Sequence, residues 1–195
     1  MDAPRKVCVY AASSRQVGRA YVDEAHRLGR LLARAGAAVV YGGGGSGLMG
    51  AVADGALGAG GRVVGVIPRF MVELEWAHRG LSELRVVNSL HQRKHQMVEG
   101  ADAVIALPGG SGTFEELLEA ITWKRLGLFT NPIVLVNTRG YFDPLLEMLL
   151  RAVNERFMDR RHLEMWSVVQ RVEQVLPAIV EAPGWSEDAR RFAAV

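Results

Sequence analysis

The amino-acid sequence predicts an α/β protein with a doubly wound parallel sheet, a Rossmann-like fold of three α/β/α layers. Short apolar runs alternate with helical patterns along the chain, and glycine-rich segments join them, as in a series of βαβ units. The runs show no strict alternation of polar and apolar residues, as expected of strands that are buried on both faces of a sheet. Crossovers between such strands place helices on both sides.

Six strands and five helices follow from this pattern. The strands are predicted at residues 7–11, 37–41, 63–67, 84–87, 103–107 and 133–137. The helices are predicted at residues 19–35, 48–59, 90–99, 113–126 and 144–156. Because ligands of such sheets bind at the carboxyl ends of the strands, we expect a site in the loops after Tyr41, Ile67, Val87 and Leu107.

Length and charge restrict the classes of protein to consider. The 195 residues fit one Rossmann-like nucleotide-binding domain, 1–195, with residues 183–195 expected as a loosely held tail. A net charge of +2 argues against nucleic acid as a partner. We expect no membrane partner, because no apolar stretch approaches 18 residues and the N-terminus has no signal pattern. The lone Cys8, in an apolar run, suits a strand interior and a cytoplasmic location.

The first glycine cluster, residues 42–50, follows the predicted strand that ends at Tyr41. It satisfies G-x-G-x-x-G from Gly42 and again from Gly45. The next strand ends without the acidic residue of a dinucleotide site, and no Gly-Lys-Ser/Thr of a P-loop occurs. Two interpretations stay open, a tight strand-to-helix turn or a loop that lines another ligand through Gly44 and Gly45.

The second glycine cluster is the most informative stretch. Pro108-Gly109-Gly110-Ser111-Gly112-Thr113 links a predicted strand to a predicted helix and is followed by Glu115-Glu116. Helix N-termini carry unpaired N–H groups and partial positive charge. The amides of residues 109–113 and the Thr113 hydroxyl could therefore bind a phosphate.

Glu116 has two interpretations. Thr113-x-x-Glu116 fits a capping box, in which each side chain satisfies a backbone N–H of the other residue. Glu116 could equally be a catalytic carboxylate. Three glycines in four residues, Gly109, Gly110 and Gly112, favour a ligand site, because a helix cap requires none of them.

A basic segment opens the helix before this strand. Ser89 is a candidate N-cap, and Arg93 and Lys94 follow within the first turns. Cations there oppose the helix dipole at a cost of roughly 0.3–1 kcal/mol each. An anionic ligand would compensate this cost, which favours a functional Arg93 over a solvent-exposed one. Because these cations stand between His91 and His95, we expect no metal site.

These motifs resemble the LONELY GUY family of cytokinin-nucleotide phosphoribohydrolases. The family hallmark P-G-G-x-G-T-x-x-E is matched from Pro108 to Glu116, and further matches run in order from about residue 7 to 157. They are residues 39–44 and 47–50, His91-x-Arg93-Lys94, Ile121-Thr122-Trp123 and Gly140-Tyr141.

The resemblance implies an enzyme that hydrolyses the N-glycosidic bond of cytokinin riboside 5′-monophosphates and AMP, releasing free base and ribose 5-phosphate. It places catalysis on Arg93 and Glu116 and requires no cofactor. Its substrate contacts fall on Glu75, Arg93, Lys94, Gly109, Gly110, Ser111, Gly112, Thr113, Glu115 and Thr122. It also implies a homodimer, for which the apolar helix at residues 114–128 could supply a contact face or remain in the core.

Some features leave other functions open. Ala11-Ala12-Ser13-Ser14 replaces the usual Cys-Gly-Ser-Ser of the family, and Asn88 and Leu90 replace its common Asp and Met. A nucleosidase for other purine or pyrimidine monophosphates, or a nucleotide carrier without turnover, would share the same loops. Members are also labelled lysine decarboxylases, but only Lys94 lies where a Schiff-base lysine could act.

Overall fold

The computed structural model describes residues 3–74 and 76–193, which form a seven-stranded, entirely parallel sheet between two layers of helices. The strands are β1 Lys6–Tyr10, β2 Ala38–Tyr41, β3 Val63–Pro68, β4 Glu83–Val87, β5 Ala103–Ala106, β6 Ile133–Val136 and β7 Ser167–Val169. The helices are α1 Arg19–Arg34, α2 Gly47–Gly58, α3 Arg69–Glu73, α4 Leu90–Val98, α5 Ser111–Arg125, α6 Asp143–Asn154 and α7 Val175–Glu181. Short 3-10 helices complete the fold.

The strand order is β4-β3-β2-β1-β5-β6-β7. Strand β1 lies in the middle, with Val7 opposite Val39 of β2 on one side and opposite Ala103 of β5 on the other. The chain therefore winds outward from β1 in one direction and later from β5 in the opposite one. The reversal lies between β1 and β5, and doubly wound sheets bind ligands outside the carboxyl ends of the strands at such a point.

Both faces of the sheet are buried. Val7 and Val9 of β1 pack with Leu28 of α1 in one apolar layer, to which α2 and α7 also contribute. Cys8 and Tyr10 point to the other layer, which contains residues of α4, α5 and α6. The doubly wound, three-layer fold predicted from the sequence is confirmed.

The six predicted strands and five predicted helices are present with end shifts of at most two residues. Three short elements were not predicted, namely α3, β7 and α7. None is longer than seven residues, so none shows enough of a period to be recognised. One end shift has consequences, because α5 begins at Ser111 rather than Thr113.

Residues 183–195, expected as a loosely held tail, are described as far as residue 193. The indole N–H of Trp185 donates to the Lys124 carbonyl oxygen at 2.7 Å, and Ala189 is buried. These contacts place the described part of the segment against the end of α5. Among the described residues, no helix combines the length and hydropathy that crossing a bilayer requires.

Candidate active site

A cleft of about 320 Å³ opens at the carboxyl edge of the sheet, where the loops after β1, β2 and β3 meet α4. Its volume lies at the lower end of the range for small-molecule sites. The polar side chains that line it are Ser13, Arg15, Ser46 and Arg93. Its apolar side chains are Met49, Ile67, Met71 and Trp76, and Gly42 and Gly44 expose backbone.

Arg93 reaches this cleft from the buried face of α4. The helix is capped by Ser89, whose hydroxyl accepts the Gln92 N–H at 3.1 Å. The Arg93 side chain is only 8% exposed, and its Nη2 lies 3.8 Å from Oε1 of Glu116. Its buried Nε has no hydrogen-bond partner among the residues described. Arg93 is therefore not the solvent-exposed residue of the alternative interpretation, and it retains a free donor.

Gly42 makes room for this guanidinium. Arg93 Nη2 donates to the Gly42 carbonyl oxygen at 3.2 Å. A Cβ at residue 42 would lie 2.9 Å from the guanidinium carbon and closer still to Nη2. The sequence analysis gave two possible reasons for the glycines of this cluster, a tight turn or contact with a ligand. The structure adds a third, which sequence reasoning missed because the two residues are far apart in the chain.

Glu116 does not cap its helix. The N-cap of α5 is Gly110, no side chain caps the helix, and Thr113 lies at its third position. The capping-box interpretation of Thr113 and Glu116 is therefore wrong, because the helix starts two residues earlier than predicted. The Glu116 side chain is 8% exposed and faces Arg93 instead.

The surroundings of Glu116 shift its titration towards neutral pH. Burial raises the pKa of Glu116 to about 7, although the Arg93 cation opposes the rise. Glu115 and Glu119 raise it further and Lys94 lowers it, each by smaller amounts. A carboxyl group with such a pKa can accept or release a proton at physiological pH.

The loop at residues 108–113 holds two kinds of glycine. A Cβ at Gly109 would lie 2.5 Å from the Cβ of the buried Thr113, so Gly109 is needed for packing. A Cβ at Gly110 or Gly112 would meet nothing within 4 Å in the described structure. The φ of Gly110 is −86°, which any residue adopts. These two glycines leave open space beside the first-turn amides of α5, as a bound group would require.

Two tyrosines hold the glycine loops. Tyr141 Oη donates to the Gly109 carbonyl oxygen at 2.5 Å, and its ring stacks on that of Phe114. Tyr41 Oη donates to the Gly44 carbonyl oxygen at 3.1 Å. Fixing these carbonyls orients the peptide groups of both loops. Both tyrosines lie in segments that match the family pattern, but the sequence analysis assigned no role to their hydroxyls.

Three of the predicted substrate contacts, Lys94, Glu115 and Thr122, are not among the residues that line the cleft. Lys94 pairs with Glu115 and, at 3.0 Å, with Glu119, so that it links α4 to α5. Burial lowers the pKa of Lys94, but the bonds to Glu115 and Glu119 outweigh this and raise it overall. The exposed Thr122 donates to its own helix, at the Leu118 carbonyl oxygen. Glu75 lies outside the described residues.

The remaining predicted residues divide between the two glycine loops. Gly44 lines the cleft, whereas the Gly45 N–H donates to the Trp76 carbonyl oxygen at 3.0 Å. Ser111 and Gly112 are exposed in the first turn of α5. In the described part of the chain, no group of three or more His, Cys, Asp or Glu side chains could hold a metal ion.

The family model described as "Possible lysine decarboxylase" matches residues 49–179. The chain is 40% identical over 180 residues to the probable cytokinin riboside 5′-monophosphate phosphoribohydrolase LOGL9 of Oryza sativa subsp. japonica, covering 89% of this chain and 79% of that protein. It is 44% identical over 177 residues to the cytokinin riboside 5′-monophosphate phosphoribohydrolase of Rhodococcoides fascians, covering 90% and 89%. The chain belongs to the LONELY GUY family.

The fold of this LONELY GUY family member also matches a solved structure. The X-ray structure of the protein TM1055 is 26% identical and superposes with a TM-score of 0.73, covering 91% of this chain and 99% of that one. The sequence resemblance to the family and the predicted fold are thus both confirmed.

One departure from the family pattern has a clear structural position. Ala12 lies between the two glycine loops of this LONELY GUY protein. Its N–H donates to the Pro108 carbonyl oxygen at 3.3 Å, and its carbonyl oxygen accepts the Met49 N–H at 3.0 Å. Backbone atoms make both bonds, so alanine at this position preserves the connection between the loops.

Proposed function

We propose that this protein hydrolyses the N-glycosidic bond of cytokinin riboside 5′-monophosphates and of AMP, releasing free base and ribose 5-phosphate. The observation that carries the proposal is the buried pair of Arg93 and Glu116, 3.8 Å apart, beside the bare start of α5. The relatives named as phosphoribohydrolases of these nucleotides support it.

The 5′-phosphate binds at the start of α5 in this proposal. The first-turn N–H groups of Ser111, Gly112 and Thr113 have no acceptors within the helix. The helix dipole adds partial positive charge at the same end. Open space beside Gly110 and Gly112 admits the phosphate oxygens to these amides. Tyr141 keeps the loop in place through the Gly109 carbonyl oxygen.

Glu116 acts on the bond that breaks. Loss of the base from the ribose builds positive charge on the sugar ring, as in glycoside hydrolysis. A carboxylate near C1′ stabilises that charge and can take a proton from the attacking water. The pKa of about 7 means that a substantial fraction of Glu116 is ionised at neutral pH.

Arg93 supports the carboxylate and the substrate together. Its charge opposes the rise in the pKa of Glu116 and so keeps the carboxylate ionised. Its Nε, which has no hydrogen-bond partner among the described residues, can donate to the bound nucleotide. Holding the nucleotide still beside Glu116 supplies the second part of the rate enhancement. Hydrolysis transfers no electrons to an acceptor, so the reaction needs no redox cofactor.

Decarboxylation of lysine is a poorer fit to this site. Schiff-base chemistry needs a lysine whose amine can react. Lys94 is held by Glu115 and Glu119, and the cleft side chains described above include no lysine. The amine of Lys94, which a lysine decarboxylase of this kind would need for its Schiff base, is therefore engaged in ion pairs with two carboxylates.

We propose further that the protein is a cytoplasmic homodimer. One face of α5 packs in the core through Leu117 and Ile121, whereas Leu118 and Leu126 stay exposed and Leu128 follows them on the surface. These exposed leucines offer apolar contact area along α5 and just after its end. Light scattering at micromolar concentration tests it, with a monomer mass as the contrary result.

Release of free base decides the main proposal. The protein is incubated with AMP or with isopentenyladenosine monophosphate, and adenine or isopentenyladenine is separated from unreacted nucleotide. We expect base and ribose 5-phosphate in equal amounts. Tight binding of either nucleotide without release of base would indicate a carrier instead.

A further inference from the structure

Two residues other than glycine have a left-handed backbone in the part of the chain that the structure describes. They are Arg139, with a φ of 59°, and Arg156, with a φ of 65°. This conformation is unfavourable for a residue that carries a Cβ, and glycine or asparagine is usual there. Each of the two arginines therefore needs its own explanation.

Arg156 is explained by the end of α6. It directly follows Glu155, the C-terminal cap of that helix, and its N–H donates to the Val153 carbonyl oxygen at 3.0 Å. The next N–H, that of Phe157, donates to the Ala152 carbonyl oxygen at 2.8 Å. A left-handed residue with these bonds is a common way for a helix to end, and a cation there complements the helix dipole.

Arg139 instead lies in a tight turn directly after β6. The Gly140 N–H donates to the Asn137 carbonyl oxygen at 3.0 Å and closes the turn, so that Arg139 is its third residue. A positive φ at that position is typical of glycine or asparagine. The buried Asn137 side chain accepts the Phe142 N–H at 2.7 Å and donates to Oδ1 of Asp143 at 2.6 Å. A fixed backbone thus holds an arginine where it disfavours one, which points to a role for the side chain.

The turn lies beside the loop at residues 108–113. Strands β5 and β6 are neighbours, with Ala106 opposite Leu135, so the segments that follow them leave the sheet at the same edge. The Tyr141 hydroxyl joins the two segments through its 2.5 Å bond to the Gly109 carbonyl oxygen. A side chain on the turn is therefore close to the start of α5.

Arg139 supplies an exposed cation at this edge. It lies two residues before Tyr141 and is exposed, and its guanidinium has no hydrogen-bond or ion-pair partner among the described residues. A guanidinium group presents several N–H donors in one plane and binds phosphate well. The side chain is thus available to an anion bound at the carboxyl edge of the sheet.

The other charges near the start of α5 are mainly acidic. Glu115, Glu116 and Glu119 lie in the first half of the helix, and the cations paired with them are Arg93 and Lys94. Lys94 is held by two of these carboxylates. A phosphate that approaches the helix is repelled by the acidic groups, so a further cation at the same edge favours its binding.

We propose that Arg139 is a substrate-binding residue whose guanidinium attracts the 5′-phosphate of the nucleotide to the loop at residues 108–113. The assignment rests on the proposed function, which places the phosphate there. Arg139 lowers KM and takes no part in the breaking of the glycosidic bond, so kcat does not depend on it. The strain in its backbone is the cost of presenting the charge from this turn.

The test compares the two left-handed arginines. KM and kcat for AMP and the melting temperature are measured in the wild type, Arg139→Gly, Arg139→Asn, Arg139→Lys and Arg156→Gly. The kinetics are repeated at about 0.01 M and about 1 M salt, where charges act over about 30 Å and about 3 Å. Arg156 is the matched control, because it is also exposed and left-handed. It lies towards the opposite edge of the sheet, since α6 connects the parallel strands β6 and β7.

We expect opposite effects on stability and binding in Arg139→Gly. Glycine relieves the strained backbone, so the melting temperature should rise by about 2–4 °C. The KM for AMP should rise about three- to fivefold at low salt, the upper part of the range for an exposed ion pair, and much less at high salt. Arg139→Asn should share the rise in KM, and Arg139→Lys should keep the wild-type KM. Arg156→Gly should also melt at a higher temperature, but with an unchanged KM.

Other outcomes overturn the assignment in distinct ways. An active wild type with an unchanged KM in Arg139→Gly and Arg139→Asn removes Arg139 alone from the site. A rise in KM of the same size at both salt concentrations, or in Arg156→Gly as well, indicates a change in the loop or the fold rather than a lost charge. A lower melting temperature in Arg139→Gly counts against the proposal too, since the arginine then stabilises its turn.

A wild type that releases no base from AMP overturns the proposed function and the assignment with it. Should Arg139→Gly fail to fold, the KM of Arg139→Asn decides, and a wild-type value there contradicts the proposal.

Discussion

The Arg93 guanidinium occupies the space that a side chain at residue 42 would need. Its Nη2 donates to the Gly42 carbonyl oxygen at 3.2 Å, and a Cβ there would lie 2.9 Å from the guanidinium carbon. The same Nη2 faces Glu116 at 3.8 Å. The first glycine loop therefore determines where the charge opposite the proposed catalytic carboxylate lies.

Gly42→Ala should displace Arg93 and reduce kcat/KM for AMP by at least tenfold, because small displacements of positioned groups carry large rate costs. It should also lower the melting temperature, since the buried guanidinium must move. A double-mutant cycle with Arg93→Ala isolates the cause. In the Arg93→Ala background the loss of stability from Gly42→Ala should largely disappear, and a loss of the same size in both backgrounds would refute the steric explanation.

Gly112→Ala should separate stability from binding. Gly112 lies inside α5 with open space around it, so alanine should stabilise the helix by about 0.5–1 kcal/mol. The added methyl group occupies space assigned to the phosphate, and the KM for AMP should rise several-fold.

Gly58→Ala is the matched control for this change. Gly58 is the last residue of α2 and also has nothing within 4 Å of its Cβ position, but it lies at the end of α2 away from the cleft. We expect no change in KM. Steady-state kinetics and thermal melts check both variants, and an unchanged KM in Gly112→Ala would contradict the phosphate position.

Tyr141→Phe should loosen the loop at residues 108–113 without changing Glu116. The substitution removes the 2.5 Å bond to the Gly109 carbonyl oxygen and keeps the ring stacked on Phe114. We expect KM for AMP to rise about three- to tenfold, with a smaller change in kcat, because the loss of one hydrogen bond costs about 1 kcal/mol. Tyr21→Phe is the control, since Tyr21 contacts the Tyr141 ring edge-on. An equal effect of both substitutions would show that the bond to Gly109 is not the cause.

The fold was predictable from the sequence because its strands are apolar throughout. Val7–Tyr10 and Ala103–Ala106 are buried on both faces. Their sequences are therefore short uninterrupted apolar runs, which indicate buried strands. The three-residue β7 and the single-turn α3 were missed because their positions depend on neighbouring elements rather than on a local pattern.

The site was predictable only where its residues are adjacent in the chain. The glycine loop at residues 108–113, to which we assign the phosphate, could be identified because one motif contains it. Arg93 and Glu116 were singled out separately, but their pairing depends on how α4 packs against α5. Lys94 was assigned to the substrate together with Glu115, and the structure pairs them with each other, since charge in a motif does not specify its partner.

The activity should depend on pH through Glu116. Burial raises its pKa to about 7, so the ionised form that acts on the sugar increases as pH rises through about 7. The kcat/KM for AMP should therefore rise between pH 6 and pH 8. Because Arg93 lowers this pKa, Arg93→Gln should move the midpoint to higher pH. Carboxyl-carbon NMR follows Glu116 directly, and an unchanged or lower midpoint in Arg93→Gln would contradict the pairing.

The most direct test of the central claim is the release of adenine from AMP by Glu116→Gln, measured beside calorimetric binding of AMP. Glu119→Gln is the control, because Glu119 lies one turn further along α5 and pairs with Lys94. We predict that the kcat of Glu116→Gln falls by about 10²–10⁴-fold, the usual rate contribution of general acid–base catalysis, while this variant still binds AMP. The kcat of Glu119→Gln should stay within about threefold of the wild-type value. Near-normal turnover by Glu116→Gln would contradict the account.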